Sequence, residues 1–437
     1  MKTKTPYKKN VINIITLGCA KNLVDSEQLL TQLKGNGFEA YHENYQNTAN
    51  IVLINTCGFI EQAKQESIET ILKYVEFKKN KRISKLYVFG CLSERYKDDL
   101  KNEIPEVDAW YGSRDLPLIL KKLKADYKRE LVGERVITTP SHTAFLKISE
   151  GCDRPCSFCA IPLMRGKHQS RPMEELVTEA RFLVSKGVKE LVLIAQDLTY
   201  YGIDLYHKRK LADLLKYLSD IEGLVWIRLL YAYPAGFPED ILTVIAERNN
   251  ICNYLDIPLQ HASDKMLRVM RRGITRQKTT DLIYKIRTAV PDIALRTTMI
   301  VGHPGETAKD FEELLNFVDE MKFERLGVFT YSHEEQTHSF TLPDDVPAKE
   351  KQRRADELMQ LQQEISYKYN EQKIGKTFRV LIDRYEDNFY IARTEYDAPE
   401  VDNEVLISAK SGTAQPGDFL PVTIEHAEEF DLFASFV

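Results

Sequence analysis

The 437 residues are 43% apolar and 29% charged, values that exclude a collagenous, disordered or low-complexity chain and leave room for about three domains. Lys and Arg number 60 against 65 Asp and Glu, a net charge of −5, which argues against a non-specific nucleic-acid binder. No apolar run reaches the roughly 18 residues of a membrane helix. The basic start MKTKTPYKKN before VINIITLGCA reads as a tail feeding a first strand, so a cytoplasmic protein is expected.

Strands are predicted at Val11–Leu17, Ile51–Asn55 and Leu86–Phe89, with helices at Leu23–Lys34 and Ile60–Lys78 between them and Gly35 and Gly37 as stop signals. Such alternation predicts a doubly wound α/β domain over residues 1–135. The pattern loosens into a linker around Val132–His142. A second series follows over 136–370, with strands at Phe145–Ile148, Leu191–Ala195, Trp226–Leu230, Leu255–Leu259, Leu295–Val301 and Arg325–Thr330, and helices such as Glu174–Lys186 and Lys309–Met321. Six βα units predict a (β/α) barrel or partial barrel. Its strands end in polar pairs, Gln196-Asp197, Gln260-His261, Gly302-His303 and Ser332-His333, where such barrels carry their active sites. A long charged helix spans Val346 to Lys373, and residues 371–437 change to five short strands, a small OB-like β-barrel.

Seven cysteines, an odd number, form no disulfide framework. Cys152, Cys156 and Cys159 stand as GCDRPCSFC directly after a predicted strand. Three thiolates in one loop can hold an iron–sulfur cluster and leave one iron open to another ligand; a zinc site with a distant fourth ligand is the alternative. Cys19, Cys57 and Cys91 each follow a strand, in IITLGC, LINTCG and YVFGC. In a parallel sheet those strand ends share one edge, so the three can converge as a second cluster site, or each can be a buried core residue. Cys252 has no partner and is expected in the core.

The C-x3-C-x2-C loop resembles that of the radical S-adenosylmethionine (SAM) superfamily. Together with the three strand-end cysteines, the stretch GCDRPCSFCAIPLMRGKHQSRP and the terminal barrel, it makes the whole chain similar to the methylthiotransferase family. The segments LGCAKNLVDSE, NTCGFIEQAKQESIE, LIAQDLTYYGIDLY and FTYSHEE resemble its RimO-type branch rather than the MiaB-like branch, which modifies a tRNA adenosine. The resemblance implies two 4Fe–4S clusters, one on Cys152, Cys156 and Cys159 and an auxiliary one on Cys19, Cys57 and Cys91. It also implies SAM beside Gly302 and Gly305 of MIVGHPGE, with Gln196 and Asp197 facing it, and His303 where relatives often carry an aromatic residue. The implied reaction adds a methylthio group to the β-carbon of an aspartate of small-subunit ribosomal protein S-twelve. That C–H bond has no acidic proton, so the cofactors must supply radical chemistry. A low-potential donor, flavodoxin or ferredoxin, is implied as a partner. An electron-transfer protein with two clusters is the reading from a different class.

Residues 371–437 hold six Lys and Arg against fourteen Asp and Glu, a net −8, while the rest of the chain is +3. An acidic module suits a basic ribosomal protein better than tRNA, with Glu400, Asp402 and Glu404 as candidate docking acids.

Overall fold

The computed structural model describes residues 11–46 and 49–437; the basic start lies outside the described residues. Contacts gather the described residues into two units, one reaching to 138 and taking in 149–153 and 160–183, the other 139–148 with 154–159 and 184–437.

In the first unit, β1 (Val11–Thr16), β2 (Glu39–His42), β3 (Ile51–Thr56), β4 (Lys85–Gly90) and β5 (Ala109–Trp110) form a parallel sheet in the order β2-β1-β3-β4-β5. Helices α1 (Ala20–Gly35), α2 (Glu61–Lys79) and α3 (Cys91–Glu103) make the crossovers. Successive residues of one strand feed opposite cores: Leu53 packs with Ile12, Ile14, Leu29 and Leu33, whereas Val52 and Ile54 pack with Ile71, Val75 and Val88. Burial on both faces is why these strands read as continuous apolar runs. The expected linker has no helix or strand over 132–142, yet it is not a solvated tether. Arg135 is buried against Glu27 at 2.8 Å, and Thr138 donates both its N–H and its hydroxyl to the same carboxylate. A short antiparallel pair, β7 (Ser149–Glu150) with β8 (Gln169–Ser170), completes this unit's sheets.

In the second unit, β6 (Thr143–Lys147), β9 (Glu190–Ile194), β10 (Trp226–Leu229), β11 (Ile251–Asp256), β12 (Ala294–Val301) and β13 (Arg325–Thr330) pair in parallel in the order β13-β12-β11-β10-β9-β6. Six strands in an open sheet make this a partial barrel. The long helix runs Ala348–Glu371, with Pro347 at its N-cap. After it, β14 (Thr377–Glu386), β15 (Phe389–Thr394), β16 (Val405–Ser408), β17 (Phe419–Ala427) and β18 (Leu432–Phe436) close a barrel in the order β14-β15-β16-β18-β17. Asp387 and Asn388, both at positive φ, turn its first hairpin. Val380, Ile382, Val405, Ile407, Val422 and Ile424 give the barrel its own core.

That barrel is joined to the sheet by buried charge. Arg393 of β15 reaches Glu190 of β9 at 2.7 Å and Asp383 at 2.6 Å, and Glu190 also takes Arg228 of β10 at 2.9 Å. Arg325 pairs with Asp397. Asp402, expected as a surface docking acid, is a joint residue instead. Its side chain is 1% exposed, accepts from Tyr254 Oη at 2.6 Å and from the Ala398 N–H at 2.9 Å, and pairs with Arg296 at 3.2 Å. The charge count could not distinguish an acid turned inward against an arginine of another element from one facing water.

Candidate iron–sulfur and SAM site

β1, β3 and β4 are adjacent and parallel, so the chain leaves all three at one edge of the sheet. Cys19 caps α1, Cys57 follows β3 directly, and Cys91 is the first residue of α3. Gly18, at φ +93°, lets these exits close up: a Cβ there would lie 2.7 Å from the Cys57 Cβ and 3.0 Å from its Sγ. Asn22 stitches the edge, donating to the carbonyls of Leu17 at 2.7 Å and Thr56 at 3.2 Å. The polar centre is Arg165, fully buried at the end of the short helix Ile161–Arg165. Its Nε donates to Cys91 Sγ at 3.1 Å, and Nη1 to Asp25 at 2.6 Å and Glu150 at 3.2 Å. Nη2 donates to the Asn22 side chain.

Burial pushes the Cys91 thiol up to about 12 and raises Cys57 as well, with Arg165 opposing both shifts. Cys19 is exposed by accessible area, but crowding still desolvates its thiol. Lys21, Arg165 and the N–H groups of Asn22 and Lys21 at the helix start outweigh that and hold it below the usual thiol range. The donor set fits an iron–sulfur group: three sulfurs at one sheet edge, with a cation and amide donors ready for their negative charge. Among the described residues, no three His, Cys, Asp or Glu side chains gather as they would around a single metal ion. Thiolates of a multi-iron cluster each bind a different iron and need no such gathering. Cys252 is buried within β11.

Cys152 falls in the first unit, and Cys156 and Cys159 in the second. The Cys152 N–H donates to the Gly166 carbonyl at 3.1 Å. Between Cys156 and Cys159, Ser157 anchors the loop. Its N–H reaches Met270 O at 3.1 Å, its carbonyl accepts from the Ser339 N–H at 2.7 Å, and its hydroxyl accepts from Ser339 Oγ at 2.8 Å. His303 holds that same Ser339 hydroxyl at 2.8 Å, with its ring edge-on to Tyr331. Burial lowers its pKa to about 4, so it is neutral at pH 7. Cys156 Sγ accepts from Arg272 Nη1 at 3.1 Å and lies 3.8 Å from Tyr233 Oη. Burial works against the Arg272 charge, and the Cys156 sulfur is the strongest influence in its favour.

The other expected SAM residues stand at strand ends of the same sheet. Asp197 pairs with Arg154 at 2.8 Å and caps the turn Leu198–Tyr200 through Thr199; Gln196 precedes it. Gly302, at φ +76°, takes the stem of Lys351 where a Cβ would stand, 2.2 Å away. Glu306, the last residue of MIVGHPGE, accepts the N–H of Gly302 at 2.6 Å and of His303 at 3.2 Å, and pairs with Arg354 of the long helix at 2.9 Å. The Gly305 N–H donates to Asp345 at 2.8 Å. His261 accepts two backbone N–H groups at Nδ1, and burial lowers its pKa to about 3. The sequence reading missed Arg165, Arg272, Ser157 and Ser339. Arg165 stands in MRG and Arg272 in MRRG, but nothing in either stretch marks an arginine that turns inward.

Family models match residues 146–318 as the radical SAM superfamily, 374–437 as a TRAM domain, and 11–112 as an uncharacterized protein family, UPF0004. The radical SAM methyltransferase TsrM from Kitasatospora setae, solved with cobalamin and a [4Fe-4S] cluster, superposes with a TM-score of 0.54 at 14% identity, covering 87% of this chain and 80% of that one. The cobalamin-dependent radical enzyme OxsB does so at 0.53 and 12% identity, over 76% and 54%; both likenesses concern the fold. The class is therefore that of the radical SAM enzymes. Curated relatives named ribosomal protein uS12 methylthiotransferase RimO are 63% identical in Cytophaga hutchinsonii, over 98% of both chains, and 58% identical in Christiangramia forsetii, over 99% of this chain and 95% of that one. The Flavobacterium johnsoniae relative of the same name is 57% identical over 99% of both. The chain belongs to the RimO family of radical SAM methylthiotransferases, and not to the MiaB-like branch.

Proposed function

We propose that the chain adds a methylthio group to the β-carbon of an aspartate of ribosomal protein uS12 (S-twelve of the small subunit), with Cys152, Cys156 and Cys159 holding a 4Fe–4S cluster that binds SAM, and Cys19, Cys57 and Cys91 a second one. The observation that carries the reading is the convergence of three cysteines on one sheet edge around a buried arginine, in a chain that also bears the radical SAM loop. Bound there, the clusters and SAM supply hydrogen abstraction from an unactivated carbon and the sulfur to be transferred.

The chain's own residues hold and orient. Ser157, Ser339 and His303 fix the loop between Cys156 and Cys159, while Glu306 and Arg354 fix the turn that carries Gly302 and Gly305, the positions proposed beside SAM with Gln196 and Asp197. The three-part division 1–135, 136–370 and 371–437 belongs to the same proposal, supported by the separate model matches. So do a low-potential flavodoxin or ferredoxin as electron donor and a cytoplasmic location; among the described residues no helix is long and apolar enough to cross a membrane. Mass spectrometry of uS12 and of tRNA from cells with and without the gene tests the substrate. A methylthio increment on the uS12 aspartate that disappears with the gene is expected; loss of a tRNA modification instead overturns the assignment.

A further inference from the structure

We propose that Arg272 is a positioning residue for the cluster ligated by Cys156: it faces the thiolate and sets that cluster's reduction potential. The proposal rests on the reading of Cys152, Cys156 and Cys159 as cluster ligands.

Two arginines sit side by side in the turn after the helix Asp264–Val269 and diverge. Arg271, at φ +55°, is exposed, while Arg272 is 4% exposed. The turn itself is bound to the cysteine loop, since the Met270 carbonyl accepts the Ser157 N–H. The Arg272 guanidinium donates Nη1 to Cys156 Sγ at 3.1 Å and Nη2 to the Pro258 carbonyl at 2.5 Å, and lies 4.3 Å from the centre of the Tyr233 ring. Tyr233 Oη returns a hydrogen bond to the Arg272 carbonyl at 2.7 Å. The buried Nε has no partner. Among the described residues no carboxylate stands within ion-pair distance of this cation. Arg154, which lies 4.1 Å from the same tyrosine ring, is closed by Asp197 at 2.8 Å.

A buried guanidinium without an anion is costly. Burial raises the pKa of the Tyr233 phenol and keeps it neutral, so the anion in contact is the Cys156 sulfur, which ionises on binding iron. The hydrogen bond then becomes charge-assisted and holds the sulfur in one orientation. Hydrogen bonds to cluster sulfurs and the net charge around a cluster set its potential. A fixed positive charge at Cys156 favours the reduced, more negative cluster, so it raises the potential and eases reduction by an external donor.

The test uses full-length protein carrying C19A, C57A and C91A, so that one cluster remains, reconstituted without oxygen. The midpoint potential is followed by electron paramagnetic resonance for this parent and for R272Q and R272K. A lower midpoint in R272Q at unchanged iron content is expected, with a smaller shift in R272K, which keeps the charge and loses the fork. A brace that only supported the fold would leave the midpoint where it was. Should R272Q fail to hold iron, the parent decides through pulsed resonance with 15N-labelled arginine. Coupling of that nitrogen to the reduced cluster supports the proposal, and its absence overturns it. An unmoved midpoint at full iron overturns the proposal alone; a parent holding no cluster overturns the ligand reading and the proposal with it.

Discussion

Each cysteine neighbourhood holds one buried arginine 3.1 Å from a sulfur, Arg165 at Cys91 and Arg272 at Cys156, yet the two cations are balanced differently. Arg165 has two carboxylates, Asp25 and Glu150, and the Asn22 side chain besides its sulfur. Arg272 has a carbonyl, a tyrosine ring and the sulfur itself. Arg165 thus belongs to the folding of its unit, with its charge settled before any cofactor arrives. Arg272 is complete only when Cys156 is ionised. Identical distances to sulfur therefore conceal a fold-building cation and a cofactor-dependent one, and the carboxylates beside Arg165, which Arg272 lacks, make the distinction.

Removing the sulfurs gives the largest effects. With Cys152, Cys156 and Cys159 replaced by Ala, SAM cleavage should vanish and iron fall to about half of the roughly eight atoms of two four-iron clusters. With Cys19, Cys57 and Cys91 replaced, iron should again halve while SAM cleavage persists and methylthio transfer stops. Iron analysis beside 5′-deoxyadenosine release reads both, and full iron in the second variant would remove one side of the comparison.

A third buried arginine serves as a reference. Arg393 has carboxylate partners and no sulfur: with Arg228 it balances Glu190 and Asp383 at the joint between barrel and sheet. R393M should cost about 3–5 kcal/mol, because it strands buried acids, and denaturant unfolding of the apoprotein measures it. For the same reason, truncation near Lys373 takes Arg393 from Glu190, Asp397 from Arg325 and Asp402 from Arg296, leaving Arg325 without its carboxylate, and is expected to give a destabilised remainder. Burial raises the Asp383 carboxyl, but the His142 hydrogen bond and Arg393 outweigh it and hold it near 2. A carboxyl held below its unfolded value of about 3.9 contributes stability that is complete above that pH and is lost as the pH falls toward 2. The joint should therefore weaken between about pH 4 and pH 2 in the parent, and R393M should flatten that dependence.

R165M follows, at about 2–3 kcal/mol, since Asp25 and Glu150 keep some solvent, their side chains 15% and 17% exposed. R272M should cost the apoprotein clearly less. Equal losses in the two variants would end the distinction drawn between the arginines.

The placement of the cysteines was legible from the sequence, three within eight residues and three more where parallel strands end. The arginines were not, since whether a side chain turns inward depends on the following turn and on acids contributed from far along the chain. Glu150 and Asp25 lie on either side of more than a hundred residues. The same blindness hid Asp402, and hid the buried pairing of Arg135 within a stretch read as a linker. Strands β2 and β5 escaped because they are short, and α3 because its sequence CLSERYKDDLKNE has few apolar positions.

The smallest effect concerns the barrel's charge. Asp397 and Asp402 are matched by Arg325 and Arg296 from outside the module, so less acidity reaches water than its net −8 suggests. Glu404 is held by Arg384 at 2.7 Å. Glu400, Glu428 and Glu429 are exposed and remain as acids able to attract a basic protein. Complementary surface charge acts mainly on the association rate and is screened by salt. Reversing all three to Lys should therefore slow uS12 modification several-fold at low ionic strength and hardly at all at high, with SAM cleavage and unfolding free energy unchanged. Modification rates measured across a salt series decide it. A charge-reversed enzyme as fast as the parent at low salt would take docking away from this face and leave the barrel's buried arginine joints as its main contribution.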